Sequence, residues 1–231
     1  MIRRGVIGTM AVVASLLGAA AGAQVEDAES RAVFQDPDAD PALPNVLLIG
    51  DSISIGYTKF TQRLLAGEAN VFRIPVNGGP TTRGIEAIDE WLRDIEWDVI
   101  HFNWGLHDIR RDSPTADGDA GPWQVDEDAY RENLETLVGR MMRTGATLIW
   151  ATTTPVPAGA ARRVEGDELR VNAIAEPIMA HYGVMVNDLH ARVLPRLEEF
   201  QREANVHFTE EGYAFLAEAV AEAIREVLPE E

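Results

Sequence analysis

Five short apolar runs rich in β-branched residues, at positions 46–49, 69–74, 98–103, 146–152 and 184–186, recur along the chain with helix-periodic stretches between them. Runs this short and this continuous suit strands buried on both faces. Strands that alternate with helices pair in parallel, because each crossover helix must cover the sheet it leaves. The helices are marked by Ile85, Ile88, Leu92 and Ile95 at spacings of three and four, and by Tyr130, Leu134, Leu137, Val138 and Met141, with Gly145 where the second should stop. Val171, Ile174, Ile178 and Tyr182 predict another, which Pro177 should kink or interrupt. A last helix is predicted from Thr209 as N-cap, Glu210 and Glu211 in the first turn, and Leu216, Val220, Ala223 and Val227 on one face. In an open parallel sheet the working residues sit just past the carboxyl ends of the strands, near the point where strand order reverses.

The amino terminus has the pattern of an export signal: Arg3 and Arg4, an apolar stretch over 6–17, and Ala21-Gly22-Ala23 as a small-residue cleavage site. The stretch is shorter than the roughly 20 residues that span a bilayer, which favours cleavage near Ala23 over an uncleaved anchor. We therefore expect a signal peptide at 1–23, a flexible leader rich in Asp, Glu, Ala and Pro at 24–42, and a single domain at 43–229, secreted or periplasmic. With no cysteine there is no lipid-attachment cysteine at the cut, no disulfide and no thiolate metal site. The net charge of −18 disfavours nucleic acid and anionic membranes as partners. It also disfavours sulfated or uronic-acid-rich polymers unless Arg83, Arg110, Arg111, Arg162 and Arg163 gather locally, and solvated positions for them are equally open. The oligomeric state is not encoded in any pattern we recognise.

After the first run comes Gly50-Asp51-Ser52-Ile53-Ser54. A serine there opens a helix, where unpaired N–H groups and the helix dipole favour a developing oxyanion; alternatively Ser52 merely caps the helix. A nucleophilic serine needs a base within hydrogen-bond reach, and His207, just before the last helix, could fold over the sheet edge to meet it. The second and third runs are followed by Asn77-Gly78-Gly79-Pro80-Thr81-Thr82 and by Asn103-Trp104-Gly105-Leu106-His107-Asp108. Glycines in the former let a backbone N–H approach a substrate oxygen closely, or simply make a turn. Trp104 and Trp123, in predicted loops, are candidates for stacking on sugar rings, while Trp91 belongs to a helix face. The 152–157 run, Thr-Thr-Thr-Pro-Val-Pro, lines the rim, and Asp188 is expected to tie a loop.

Taken together, the Gly50-Asp51-Ser52-Ile53-Ser54 block, Gly79 in Gly79-Pro80-Thr81-Thr82, Gly105-Leu106-His107-Asp108 and the late His207 resemble the four ordered blocks of the SGNH/GDSL hydrolases. The resemblance runs from about residue 43 to 228. It implies an α/β, flavodoxin-like three-layer sandwich with five parallel strands in order 2-1-3-4-5, and ester hydrolysis without metal or other cofactor. It further implies Ser52 as nucleophile, His207 as general base, and an oxyanion hole formed by the N–H groups of Ser52 and Gly79 with a third donor from the third block.

Two positions depart from the family pattern: His107 stands where the family has an asparagine donor, and Ala204 where it has an aspartate behind the base. The first makes His107 the expected third oxyanion donor. The second leaves three readings: a Ser-His dyad, a substitute acceptor such as Glu203 or a backbone carbonyl, or an inactive relative. The leading expectation is an esterase releasing short acyl groups, acetyl above all, from a small-molecule or polysaccharide ester. The alternatives are lysophospholipase or thioesterase activity, a non-catalytic glycan binder, and a metal phosphoesterase built on Asp51, His101, His107 and Asp108.

Overall fold

The computed structural model describes residues 33–112 and 120–229. The signal peptide expected at 1–23 and the first part of the leader lie outside the described residues. Five strands, β1 (Asn45–Ile49), β2 (Asn70–Arg73), β3 (Val99–Phe102), β4 (Thr147–Ala151) and β5 (Met185–Asn187), form one sheet in the order β2-β1-β3-β4-β5. Every pairing is parallel, with Val46 opposite Val71 on one side and Val99 on the other. Val46, Leu47, Leu48 and Ile49 are fully buried, as a central strand covered on both faces requires.

The helices are α1 (Ser52–Leu64), α2 (Thr81–Leu92), α3 (Glu127–Met142), α4 (Asp167–Tyr182), the short α5 (Leu189–Val193) and α6 (Leu197–Phe200), and α7 (Glu210–Arg225). The chain leaves β1 toward β2 and thereafter moves the other way across the sheet. Right-handed crossovers then place α1 on one face and α2, α3 and α4 on the other. Accordingly α1 packs against α7, while α2 packs on α3 and α3 on α4. The reversal falls between β1 and β3, so the loops leaving these two strands flank the crevice in which such sheets bind ligands.

Three local expectations are corrected. Helix α2 ends at Leu92, before Ile95, because Arg93 turns the chain at φ 51°. Helix α4 runs through Pro177 without interruption. Pro177 and Ala173, the residue whose carbonyl loses its donor, both lie on the exposed side, where water can satisfy that carbonyl, while Val171, Ile174, Ala175, Ile178 and Met179 hold the helix by its buried face. Residues 33–42, expected to belong to the leader, pack on the domain. Val33 is buried, Asp36 pairs with Arg93 at 2.6 Å, and the backbone of Asp40 exchanges hydrogen bonds with the Asn70 side chain at 2.8 and 2.9 Å. Among the described residues, no helix is long and apolar enough to cross a membrane.

Candidate active site

Strand β1 runs straight into the first block. Asp51 is the N-cap of α1, its Oδ1 accepting the N–H of Ile53 at 2.9 Å, and Ser52 is the first helical residue. Asp51 therefore fills the capping role that Ser52 could have had. The Ser52 N–H stands in the first turn, where no intrahelical acceptor exists. Gly50 cannot carry a side chain, since a Cβ there would lie 2.9 Å from Cβ and Oγ of Ser54.

Beneath this turn lies Arg73, the last residue of β2 and 3% exposed. Its guanidinium donates to the carbonyls of Gly50 (2.9 Å), Asp51 (3.1 Å), Ile74 (2.9 Å) and Val76 (2.7 Å) and to Ser54 Oγ (2.7 Å). It thus joins the first block to the loop that carries the second. Burial lowers its pKa to about 10, which leaves it cationic at neutral pH. The Asp51 carbonyl and the Ser52 N–H belong to one peptide group, so a cation on that oxygen polarises the amide and strengthens the N–H as a donor. Sequence reasoning passed over Arg73; the available signal was a lone charge at the end of an otherwise uncharged strand.

His207, the expected base, arrives on a tight hairpin before α7. Gln201 pairs with Phe208 in an antiparallel bridge, the Arg202 N–H donates to the His207 carbonyl at 3.0 Å, and the Asn205 N–H donates to the Arg202 carbonyl at 3.2 Å. This brings His207 Nε2 to 2.8 Å from Ser52 Oγ, across 155 residues of sequence. On the other side of the ring, Nδ1 lies 2.7 Å from Asn205 Oδ1. The same oxygen accepts the backbone N–H of His207 at 3.0 Å. That second bond identifies the amide atom as oxygen, so Nδ1 must carry the proton and Nε2 the lone pair that can take the serine proton. Glu203 is exposed and bonds to neither ring nitrogen, and Ala204, at φ 49°, sets its Cβ toward Gly159. Burial of the ring, reinforced by Arg202, Arg163 and His107 and opposed by Asp51, holds the His207 pKa below the usual imidazole value.

The second block approaches the first closely. Gly78 donates to the Gly50 carbonyl at 2.9 Å, and a Cβ on Gly78 would lie 2.8 Å from that oxygen. Gly79, at φ 61°, donates its N–H to the Asn77 Oδ1 at 2.9 Å, so the expected oxyanion donor is engaged by a neighbouring side chain. In the third block a turn held by Ile109 N–H on the Gly105 carbonyl (3.0 Å) presents His107, and a Cβ on Gly105 would collide with Thr153 Oγ1 at 2.1 Å. The His107 ring has no hydrogen-bond partner among the described residues, and burial, with Arg163, Arg110 and Arg83, lowers its pKa. Asp108 turns away from it. Its Oδ1 accepts the N–H (2.8 Å) and Oγ1 (2.6 Å) of Thr81 and so caps α2, whose own N-cap, Pro80, has no side chain to do so. Burial pushes the Asp108 carboxyl up to about 7.

Other expectations separate here. Asp51, His101, His107 and Asp108 do not converge: His101 is buried on β3 beside Asn187 Nδ2, and Asp108 faces Thr81. Trp104 (1% exposed) and Trp123 (9%) are buried and cannot stack on a sugar ring; Trp123 instead donates to Asp167 Oδ2 at 3.0 Å. Thr152, Thr153 and Thr154 are buried behind the rim, and Asp188 ties the β4 and β5 ends together by accepting from Thr152 Oγ1 at 2.9 Å.

A five-stranded parallel α/β sheet in this order, with the four blocks gathered at its carboxyl edge, is the architecture of an ester hydrolase of the SGNH type. The chain belongs to the GDSL-like lipase/acylhydrolase family, whose profile matches residues 48–215. No curated protein matches it in sequence. Its fold is similar to that of a lipase/acylhydrolase from Enterococcus faecalis, with a TM-score of 0.69 and 22% identity over 81% of this chain and 98% of that one. It is also similar to the acetyl xylan esterase AlAXEase (TM-score 0.64, 17% identity, 78% of this chain and 99% of that one). A third similar structure is a mutant acetyl-xylooligosaccharide esterase from Geobacillus Stearmophilus, at TM-score 0.65 and 17% identity over 78% of this chain and 94% of that one.

Proposed function

We propose that the protein is an exported serine esterase that releases short acyl groups, acetyl foremost, with Ser52 as nucleophile and His207 as general base. The observation that carries this reading is the 2.8 Å contact between Ser52 Oγ and His207 Nε2, in a ring whose tautomer is set by Asn205. Ser52 Oγ attacks the ester carbonyl carbon while His207 takes its proton, and the imidazolium then protonates the departing alkoxide. Water repeats the cycle on the acyl-serine. The tetrahedral oxyanion is received by the Ser52 N–H and by a His107 ring N–H, and Gly79 joins when its N–H exchanges Asn77 Oδ1 for the substrate oxygen.

Asn205 supplies part of what the family's aspartate supplies. It orients the ring and selects the tautomer but brings no charge to stabilise the imidazolium. An acceptor behind the base favours a working esterase over an inactive glycan binder. The acetyl preference draws on the names of two structural neighbours, which are acetyl esterases of xylan or xylooligosaccharide.

Two measurements test the reading. A fluorophosphonate probe should label the folded protein at Ser52 and fail on Ser52→Ala, and hydrolysis of p-nitrophenyl esters should decline from acetate to octanoate. Equal labelling of folded Ser52→Ala would refute the mechanism; rates rising with chain length would shift the substrate toward lysophospholipids.

A further inference from the structure

We propose that the substrate carries a carboxylate beside the scissile ester, held by Arg83, Arg163 and Arg202, so that the enzyme acts on acylated acidic sugars in preference to neutral ones. This rests on the hydrolase reading above and names the substrate class of the same site.

Three arginines stand on or against the segments that carry Gly79, His107 and His207. Arg83, exposed in the first turn of α2, lays its stem along the second block: a Cβ on Gly79 would lie 3.1 Å from Arg83 Cδ. Arg163 donates its Nε to the Leu106 carbonyl at 2.8 Å, beside His107, and leaves its two terminal nitrogens without a protein acceptor among the described residues. Arg202 is exposed on the hairpin that carries the base, its N–H bonded to the His207 carbonyl. Electrostatically, Arg163 acts on both His107 and His207, Arg83 on His107 and Arg202 on His207. The carboxylate acting on both histidines is Asp51, which is buried and occupied as a helix cap.

The absence of partners is informative because acids are abundant. The sequence has 38 Asp and Glu against 20 Lys and Arg. Elsewhere Arg93, Arg111, Arg140, Arg192, Arg196 and Arg225 sit in ion pairs, while Arg63, Arg131 and Arg143 stand singly on helices α1 and α3 and their ends and do not gather at one place. Arg110 and Arg162, near the site, share Asp112. Arg83, Arg163 and Arg202 have no carboxylate partner among the described residues. Unpaired cations here weaken the base, since each favours the neutral imidazole. A substrate carboxylate would offset that effect when bound and would meet the planar donors of a guanidinium in two parallel hydrogen bonds. The negative whole-molecule charge keeps anions away in general, so a local cluster of cations around the nucleophile confers selectivity rather than bulk attraction.

The test uses one sugar in two charge states: an O-acetylated methyl glucuronoside as the free acid and as its uncharged methyl ester, with acetate release measured for the purified protein. We expect kcat/KM for the acid to exceed that for the methyl ester about tenfold at low salt, the size of one charge-assisted hydrogen bond, and the preference to shrink as salt is raised. Arg163→Gln, Arg83→Gln and Arg202→Gln should each reduce the acid-to-ester ratio several-fold, whereas Arg131→Gln, on the exposed side of α3, should not. Turnover of both compounds with no preference for the acid, or a preference that survives all three site variants, overturns this inference and leaves the hydrolase reading standing. Failure to turn over either compound and p-nitrophenyl acetate as well overturns the hydrolase reading itself.

Discussion

Asn205 Oδ1 accepts both the backbone N–H of His207, at 3.0 Å, and its Nδ1–H, at 2.7 Å. A neutral amide thereby occupies the place behind the His207 ring, one residue past the position where the family has aspartate. Asn205→Ala should lower kcat by about 10²–10³ with little change in KM, because the ring loses its orienting partner; loss of the wrong-tautomer safeguard in another triad costs about 10⁴. Asn205→Asp should retain or raise kcat and move the acid limb of the pH profile upward, since a carboxylate stabilises the imidazolium. Ala204→Asp should give no gain, as Nδ1 is already bonded. Steady-state kinetics across pH on all three variants checks the set, and a large gain from Ala204→Asp would show that Asn205 is not the working acceptor.

His107→Asn should keep much of the activity, because an amide N–H can replace a ring N–H at the oxyanion. His107→Ala should lose roughly 10²–10³ in kcat, the usual size of one missing donor. If His107→Asn is as inactive as His207→Ala, the donor assignment fails.

The pH profile follows from the sign of the His207 shift. The active form is the neutral ring, and burial together with Arg202, Arg163 and His107 lowers its pKa. Activity should therefore be constant through neutral pH and fall only as pH drops below the ordinary imidazole value of about 6.5. A kcat/KM limb with its midpoint above that value contradicts the environment described here.

Arg73 should matter to both stability and turnover. Arg73→Lys keeps the charge but cannot reach the carbonyls of Gly50, Asp51, Ile74 and Val76 together; those of Gly50 and Asp51 keep the N–H groups of Gly78 and Ile55, whereas a buried carbonyl left without any donor costs about 1–3 kcal/mol. Thermal unfolding should shift to lower temperature, and the folded variant should lose kcat rather than gain KM, because the polarised Ser52 N–H acts on the transition state. A variant of unchanged melting temperature and unchanged kcat would remove Arg73 from the architecture of the site.

What could be read from the chain alone was local. Apolar runs and helical periodicities specified the strands and helices, because burial on two faces or on one stripe leaves a mark on neighbouring residues, and the order of the four blocks pointed to Ser52, Gly79, His107 and His207. The same locality explains the misses. Trp104 and Trp123 looked exposed because loops usually are, yet both are covered by residues distant in sequence. Pro177 looked like a break because sequence cannot show that the Ala173 carbonyl it leaves without a donor lies on the exposed side of the helix. Asn205, Arg73 and the engagement of Gly79 by Asn77 depend on the angle at which side chains meet across the crevice. Whether the arginines around the site find acids of their own is likewise a matter of distance in space. Pairing, burial and hydrogen-bond direction are properties of the packed chain, so only the tertiary structure decided how the serine, its base and the charges around them are arranged.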